Sequence, residues 1–357
     1  MRRRSISQRV PSYLSRRQGQ STRARAGNLS PCARCVASTI VQSSTLQDHR
    51  SFQLEPINHI QENLMKTSYL GGTFTPAGTS LCLKRMGYGT MQLPGPHVWG
   101  PPRDKEAALE VLRDAIAIGA NHIDTAEFYG PGISNQLIRE ALSPYPDDLT
   151  IITKVGFVRG QDASWVPDHT SDGLRRAVYE NLASLGLETL DVVNLRLGAP
   201  NSPDDRSVLE PLQTLIELQH QGVIRHIGLS NVTPTQFAEA KSVAKIVCVQ
   251  NQYNLVKRDD DDFIDSLAAE GVAYVPFFPL GGFSPLQSAL LSQVADEVGA
   301  TPMQVALAWL LQRSPNILVI AGTSSPAHLR ENFAASDLVL SDEQVAKLNS
   351  ISGQVDR

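Results

Sequence analysis

From about residue 80 the chain alternates short runs rich in β-branched residues with longer stretches whose apolar positions recur every three or four residues. The runs Leu83–Met91, His122–Ala126, Leu149–Val155, Leu190–Arg196, Ile224–Asn231, Ile246–Tyr253, Gly271–Pro279 and Ile317–Thr323 read as eight strands. Between and after them, Lys105–Gly119, Asn135–Leu142, Ser171–Gly186, Val208–Gln221, Thr233–Val243, Asp262–Glu270 and Pro326–Ala335 read as crossover helices. In Ser171–Gly186, Leu174, Ala177, Val178, Leu182 and Leu185 share one stripe, Ser171 and Asp172 offer N-cap chemistry and Gly186 a stop. Strands alternating with helices imply a parallel sheet, and eight repeats predict an α/β fold, a (β/α)8 TIM barrel. A doubly wound open sheet would carry G-x-G-x-x-G after its first strand, and Gly87-Tyr88-Gly89 is only a fragment of that pattern. Additional helices are expected near the C-terminus, two within Pro285–Pro315 and one over Ser341–Ser352. The Gly and Thr content of Gly71–Leu83 suits a short hairpin on the barrel floor.

Composition refines this picture at the N-terminus. The whole chain carries a net charge of −4, which argues against a general nucleic-acid surface, and has no run of ~18 apolar residues to span a membrane. Residues 1–47 hold nine arginines and no acid, so they carry +9 and the rest −13. Residues 1–64 therefore read as a basic, disordered leader before a single barrel domain over 65–357. Its Ser and Arg content without an apolar run suits an organellar transit peptide rather than a secretory signal. The other readings are an inert tail or upstream sequence included with the gene. The expected location is cytoplasmic, or mitochondrial if the leader belongs to the protein. Cys32 and Cys35 form a C-x-x-C with no second pair or nearby His, so no metal site is expected, and Cys82 and Cys248 read as reduced core or near-core residues.

Reactive groups in a barrel of this kind belong at the C-terminal ends of strands. Asp124, Glu127 and Tyr129 follow strand two in H-I-D-T-A-E-F-Y-G, Lys154 ends strand three, and Arg196 ends strand four. Ser230-Asn231, Gln250-Asn251 and Phe277-Phe278 end the next three. Singly, each has an ordinary structural role open to it, such as a cap, a surface ion pair or a loop aromatic. Together, Asp124, Tyr129 and Lys154 can form a proton donor: a neighbouring ammonium favours the charged phenolate and lowers the phenol's pKa, and the aspartate holds the lysine.

The run Gly119–Gly130 closely resembles the signature of the aldo-keto reductases. The likeness continues through Ile152-Thr153-Lys154, Gly228–Asn231, Val249-Gln250-Asn251, Gly322-Thr323 and Glu331-Asn332, over roughly residues 80–352. D-V-V-N-L-R and V-P-F-F-P-L-G-G are shared with a bacterial-type subgroup that includes pyridoxal reductases. The resemblance implies reduction of an aldehyde or ketone with NADPH, with Tyr129 as general acid, Lys154 as its modulator and Asp124 as the lysine's partner. Most relatives place His where this chain has Arg196, which stays cationic and offers a donor fork but does not titrate near neutrality. By the same resemblance Ser230, Asn231 and Gln250 hold the nicotinamide carboxamide and Phe277 stacks on its ring. Gly89, Thr90, Leu280, Gly282, Thr323, Ser324, Ser325, His328, Glu331 and Asn332 complete the implied cofactor groove.

The cofactor tail departs from the family pattern. In A-G-T-S-S-P-A-H-L-R, Gly322 and His328 occupy places where Lys and Arg often hold the 2′-phosphate. Thr323, Ser324, Ser325, Arg330 and the helix opening at Pro326 remain as phosphate ligands, so NADPH is expected ahead of NADH. Trp99, Trp165 and Phe283 are the substrate-facing candidates, an aromatic cup suited to a planar, pyridoxal-like aldehyde or equally to packing loops on the barrel. Competing readings are alcohol oxidation in secondary metabolism and a non-catalytic, nicotinamide-binding redox sensor. Expected partners are a small carbonyl substrate, with no nucleic acid and no membrane. A chain beginning at Met65 should match the full-length chain in thermal melting and in NADPH oxidation, because the leader lacks the apolar periodicity to join a core. An insoluble or inactive truncated chain would make residues 1–64 structural.

Overall fold

The computed structural model describes residues 71–199, 202–282, 286 and 288–351. The leader, the Cys32/Cys35 pair and Phe283 lie outside the described residues. A floor hairpin pairs β1 (Thr73–Phe74) antiparallel with β2 (Leu83–Lys84), as the Gly/Thr-rich segment predicts. The barrel strands follow in chain order: β3 (Tyr88–Gly89), β4 (His122–Asp124), β5 (Thr150–Val155), β8 (Leu190–Arg196), β9 (Ile224–Ser230), β10 (Ile246–Gln250) and β11 (Ala273–Tyr274). All seven pair in parallel with their neighbours in that order.

The eighth strand is shorter than the apolar run Ile317–Thr323 suggests. Residues 317–319 close the ring through parallel bridges Tyr274↔Ile317 and Met86↔Val319. On one side the Leu318 N–H donates to the Tyr274 carbonyl at 2.9 Å, and on the other the Gly87 N–H donates to the Val319 carbonyl at 2.8 Å. Past Val319 the chain is bound by close approach instead. A Cβ on Gly322 would lie 2.6 Å from the Gly89 carbonyl oxygen, and one on Gly89 would lie 2.5 Å from that of Ile320. A side chain at either place would force the two segments apart.

The crossover helices are α1 (Lys105–Ile118), α2 (Ile133–Leu142), α3 (Ser171–Leu185), α4 (Leu209–His220), α5 (Pro234–Lys241), α6 (Asp261–Ala269) and α9 (Pro326–Ala334). The additional helices are α7 (Ala289–Val298), α8 (Pro302–Arg313) and α10 (Asp342–Asn349), placed as the apolar periodicity predicts. In α3 the cap is Thr170, one residue earlier than expected, its hydroxyl accepting from the Gly173 N–H, and Gly186 ends the helix in the left-handed region at φ 69°. The α3 stripe is buried as predicted. One element has no counterpart in the sequence reading: β6 (Phe157–Arg159) and β7 (Trp165–Pro167) form an antiparallel hairpin on the loop after β5. Among the described residues no helix is long and apolar enough to cross a membrane.

Gly322→Ala should destabilise the fold by about 1–3 kcal/mol, the usual cost of forcing atoms into a packed site. Urea unfolding measures it. A loss under about 0.5 kcal/mol, the scale of a neutral surface change, would mean that strands one and eight do not approach so closely.

Candidate active site

The pleat sorts each barrel strand into two faces. Ile123 on β4, Ile151 and Val155 on β5, Val193 and Leu195 on β8, Leu229 on β9 and Val249 on β10 pack in the large core beneath the helices. Ile152, Val192, Cys248, Val275, Leu318 and Ile320 form a separate cluster inside the barrel. Counting in steps of two along this inner face reaches Asp124, Lys154, Arg196, Ser230 and Gln250 at the strands' C-terminal ends. Four of the five, all but Ser230, line one cavity of about 200 Å³.

At its base lies a buried ion pair. Lys154 Nζ donates to Asp124 Oδ1 at 2.5 Å and to the Thr125 carbonyl at 3.1 Å. The other carboxylate oxygen accepts from Gln250 Nε2, from across the barrel, at 2.8 Å. Gln250 Oε1 is then left buried without a hydrogen-bond partner among the described residues. The Lys154 ammonium stands 5.1 Å from the centre of the Tyr129 ring. Burial alone would depress the lysine, but Asp124 and Tyr129 together outweigh it and raise its pKa.

For Tyr129 the balance runs opposite to the expectation from sequence. Burial is the largest influence and raises the phenol's pKa, and the nearby Lys154 and Arg196 offset it only in part. The covering comes from Phe128, Phe157, Val98 and Trp165, which pack with Tyr129 in one apolar cluster. Trp165 sits edge-on to Phe128 at 5.6 Å and to Tyr129 at 6.4 Å. Arg196 lies in the same wall, its guanidinium 5.0 Å from the Phe277 ring and 5.6 Å from Phe157. Burial lowers its pKa against the pull of Tyr129 and Asp124, yet an arginine remains charged.

The implied cofactor residues divide. Gly89, Gln250, Phe277, Leu280, Gly282 and Gly322 line the cavity. Ser230 is fully buried and its hydroxyl accepts from Arg196 Nη1 at 3.1 Å. Asn231, at φ 60°, donates from Nδ2 to the carbonyls of Leu197, Ala199 and Ser202 at 2.8, 2.9 and 2.7 Å, stapling the loop after β8. Thr90 is buried in a hydrogen bond to Thr125 at 3.0 Å. Thr323 Oγ1 accepts from the Ser325 N–H, and Ser325 caps α9. Glu331 accepts from Thr301 at 2.7 Å and so is tied to the start of α8, and Asn332 is buried. Ser324 and His328 are exposed. Arg330 pairs with Asp114 on α1 and lines a different cavity with Lys84 and Gly71, away from the Tyr129 site. Trp165 joins the cavity, whereas Trp99 is 37% exposed and covers Arg159. Sequence reading missed Met91, Gln92, Phe128 and Phe157 in the lining, as nothing in their local pattern points them at the cavity.

A curled parallel sheet of this order, with a lysine–aspartate pair under a tyrosine at the mouth, defines a barrel oxidoreductase acting between carbonyl and alcohol. The profile of the aldo/keto reductase family matches residues 85–352, and the chain belongs to that family. It is 61% identical over 282 residues to pyridoxine 4-dehydrogenase of Escherichia coli K12, a match covering 78% of this chain and 98% of that protein. A thermostable aldo-keto reductase solved with the inhibitor epalrestat is 31% identical, with TM-score 0.67 over 78% of this chain and 99% of its own. An aldo/keto reductase from Klebsiella pneumoniae solved with NADP and acetate shares the fold at 24% identity, with TM-score 0.65 over 80% and 96% of the two chains.

The tie to Asp114 yields a test of the phosphate assignment. Arg330→Ala should leave the Michaelis constant for NADPH within about twofold of wild type, as for a surface change of ~0.5 kcal/mol. A rise of about tenfold or more in steady-state assays would return Arg330 to the cofactor.

Proposed function

We propose that this chain interconverts a planar aromatic aldehyde of the pyridoxal type and its alcohol with NADPH, Tyr129 being the proton donor in reduction. The observation that carries this reading is the connected series Gln250–Asp124–Lys154–Tyr129 opening onto an aromatic-walled cavity. The nicotinamide fits the residues present: the orphaned Gln250 Oε1 is an acceptor matched to a carboxamide N–H, and Gly89, Gly282 and Gly322 leave space in the cavity lining. Ser324, His328 and the capped N-terminus of α9 would face the cofactor's phosphate. When bound, NADPH supplies the hydride.

Tyr129 Oη holds its proton through the neutral range because burial raises its pKa. It releases that proton to the carbonyl oxygen as alkoxide character develops, and Lys154 stabilises the phenolate left behind. Arg196, cationic throughout, polarises the same oxygen from its place beside Phe157 and Phe277. In the direction of alcohol oxidation the same phenolate takes the proton back, so the dehydrogenase name of the E. coli relative and a reductase reading describe one site. The rings of Phe128, Phe157, Trp165 and Phe277 favour a flat substrate.

Tyr129→Phe should leave NADPH affinity unchanged in a fluorescence titration, since only the hydroxyl is lost. Turnover with pyridoxal, followed by stopped-flow oxidation of NADPH, should fall by about 10²–10⁴, the contribution of a positioned acid. Retention of more than half the activity would remove Tyr129 from the mechanism.

A further inference from the structure

Arg159, on β6, stands outside the reacting groups and is absent from every motif above. Its guanidinium nevertheless ties three loops together. Nη1 donates to the Val98 carbonyl at 2.8 Å and to that of Phe128 at 3.4 Å, and Nη2 donates to His97 at 3.1 Å and Ala163 at 2.7 Å. Nε also donates to Ala163, at 3.3 Å. Three of these four carbonyls belong to residues in the left-handed region, His97 at φ 61°, Val98 at 57° and Ala163 at 62°. Such conformations in non-glycine residues persist only where the surroundings over-determine them, and here one planar fork donates to all three. The same guanidinium lies 4.1 Å from the ring of Trp165 and 5.2 Å from that of Trp99.

We infer that Arg159 is a specificity-determining positioning residue, locking Trp165 as the fixed wall against which a planar substrate stacks. This rests on reading the Tyr129 cavity as the substrate site. Trp165 reaches that cavity from a hairpin whose tip, at Ala163, is held by Arg159. The loop after β3, which carries His97 and Val98, is held by the same group. Without it, hairpin and loop lose their common anchor and the indole its defined position. A ring-bearing aldehyde then loses a stacking surface, while a small aliphatic aldehyde still meets Tyr129 and Arg196. The loss is of binding shared by ground and transition states, so it appears in KM and not in kcat. Lysine keeps the charge over the indole but presents a point of donors in place of a fork, and cannot serve carbonyls from three directions.

The test compares wild type, Arg159→Ala and Arg159→Lys on 4-nitrobenzaldehyde and propanal with NADPH. For Arg159→Ala, KM for 4-nitrobenzaldehyde should rise about tenfold with kcat within about threefold, and KM for propanal should stay within about twofold. Arg159→Lys should shift in the same direction by about threefold, and it decides the matter if the alanine variant does not fold. Tryptophan emission should become more accessible to acrylamide in both variants. Unchanged KM for 4-nitrobenzaldehyde with only a lowered melting temperature overturns the proposal, as does an equal rise for both aldehydes and for NADPH. If the wild type turns over neither aldehyde, the catalytic reading fails separately, and the affinity of 4-nitrobenzaldehyde measured by tryptophan quenching still decides the clamp by the same comparison.

Discussion

The structure of the site depends on two opposite charges carried into a dry barrel. Lys154 and Asp124 are each about 3% exposed, and an isolated charge at such depth would be strongly unfavourable. Paired, with the remaining donors and acceptors taken up by Thr125 and Gln250, they are tolerated. Removing one partner of such a pair typically costs about 3–5 kcal/mol because the other is left uncompensated. The pair therefore constrains the ends of β4 and β5 on one side and β10 across the barrel. That constraint sets where Tyr129, five residues beyond Asp124, can place its hydroxyl.

The rest of the barrel interior is arranged so as not to disturb that balance. His122, two residues below Asp124 on the same strand, fills space left by Gly87, since a Cβ there would lie 2.1 Å from its ring. Burial pulls its pKa down to about 4, so near pH 7 it is neutral and adds no charge beneath the ion pair. Cys248, also inside the barrel, has its thiol pushed up to about 12 and is likewise neutral. Higher up, Gly89 and Gly322 let strands one and eight close while contributing no side chains to the mouth. The opening is thus made by missing Cβ atoms as much as by the groups that line it.

Two arginines organise the aromatic wall in the same manner. Arg196 lies between Phe157 and Phe277, and Arg159 between Trp99 and Trp165. Each donates hydrogen bonds while its guanidinium lies against two rings, using a planar fork that lysine lacks. Phe157 and Trp165 sit on the two strands of one hairpin, so both cations act on the same inserted element. Arg196 therefore shapes the wall's packing as well as placing a fixed positive charge near Tyr129.

The barrel and the inward placement of the candidate groups were legible in the amino-acid order because both follow from local periodicity. Apolar residues at helical spacing and at every second strand position define the layers, and the same alternation sends Asp124, Lys154, Arg196 and Gln250 inward at strand ends. What each group touches was not legible. Arg330 meets Asp114 only because α1 lies beside it, and Asn231 gives its amide N–H groups to the loop after β8 only because that loop folds back. Tyr129 reads as a phenol acidified by Lys154, but its desolvation comes from Val98, Phe157 and Trp165, supplied by loops after other strands, and burial prevails. Arg159 carries no local signal at all, since its carbonyl partners are up to 62 positions away. Period and parity are short-range properties of a chain, whereas partner choice and burial are set by distances that only the closed barrel brings within reach.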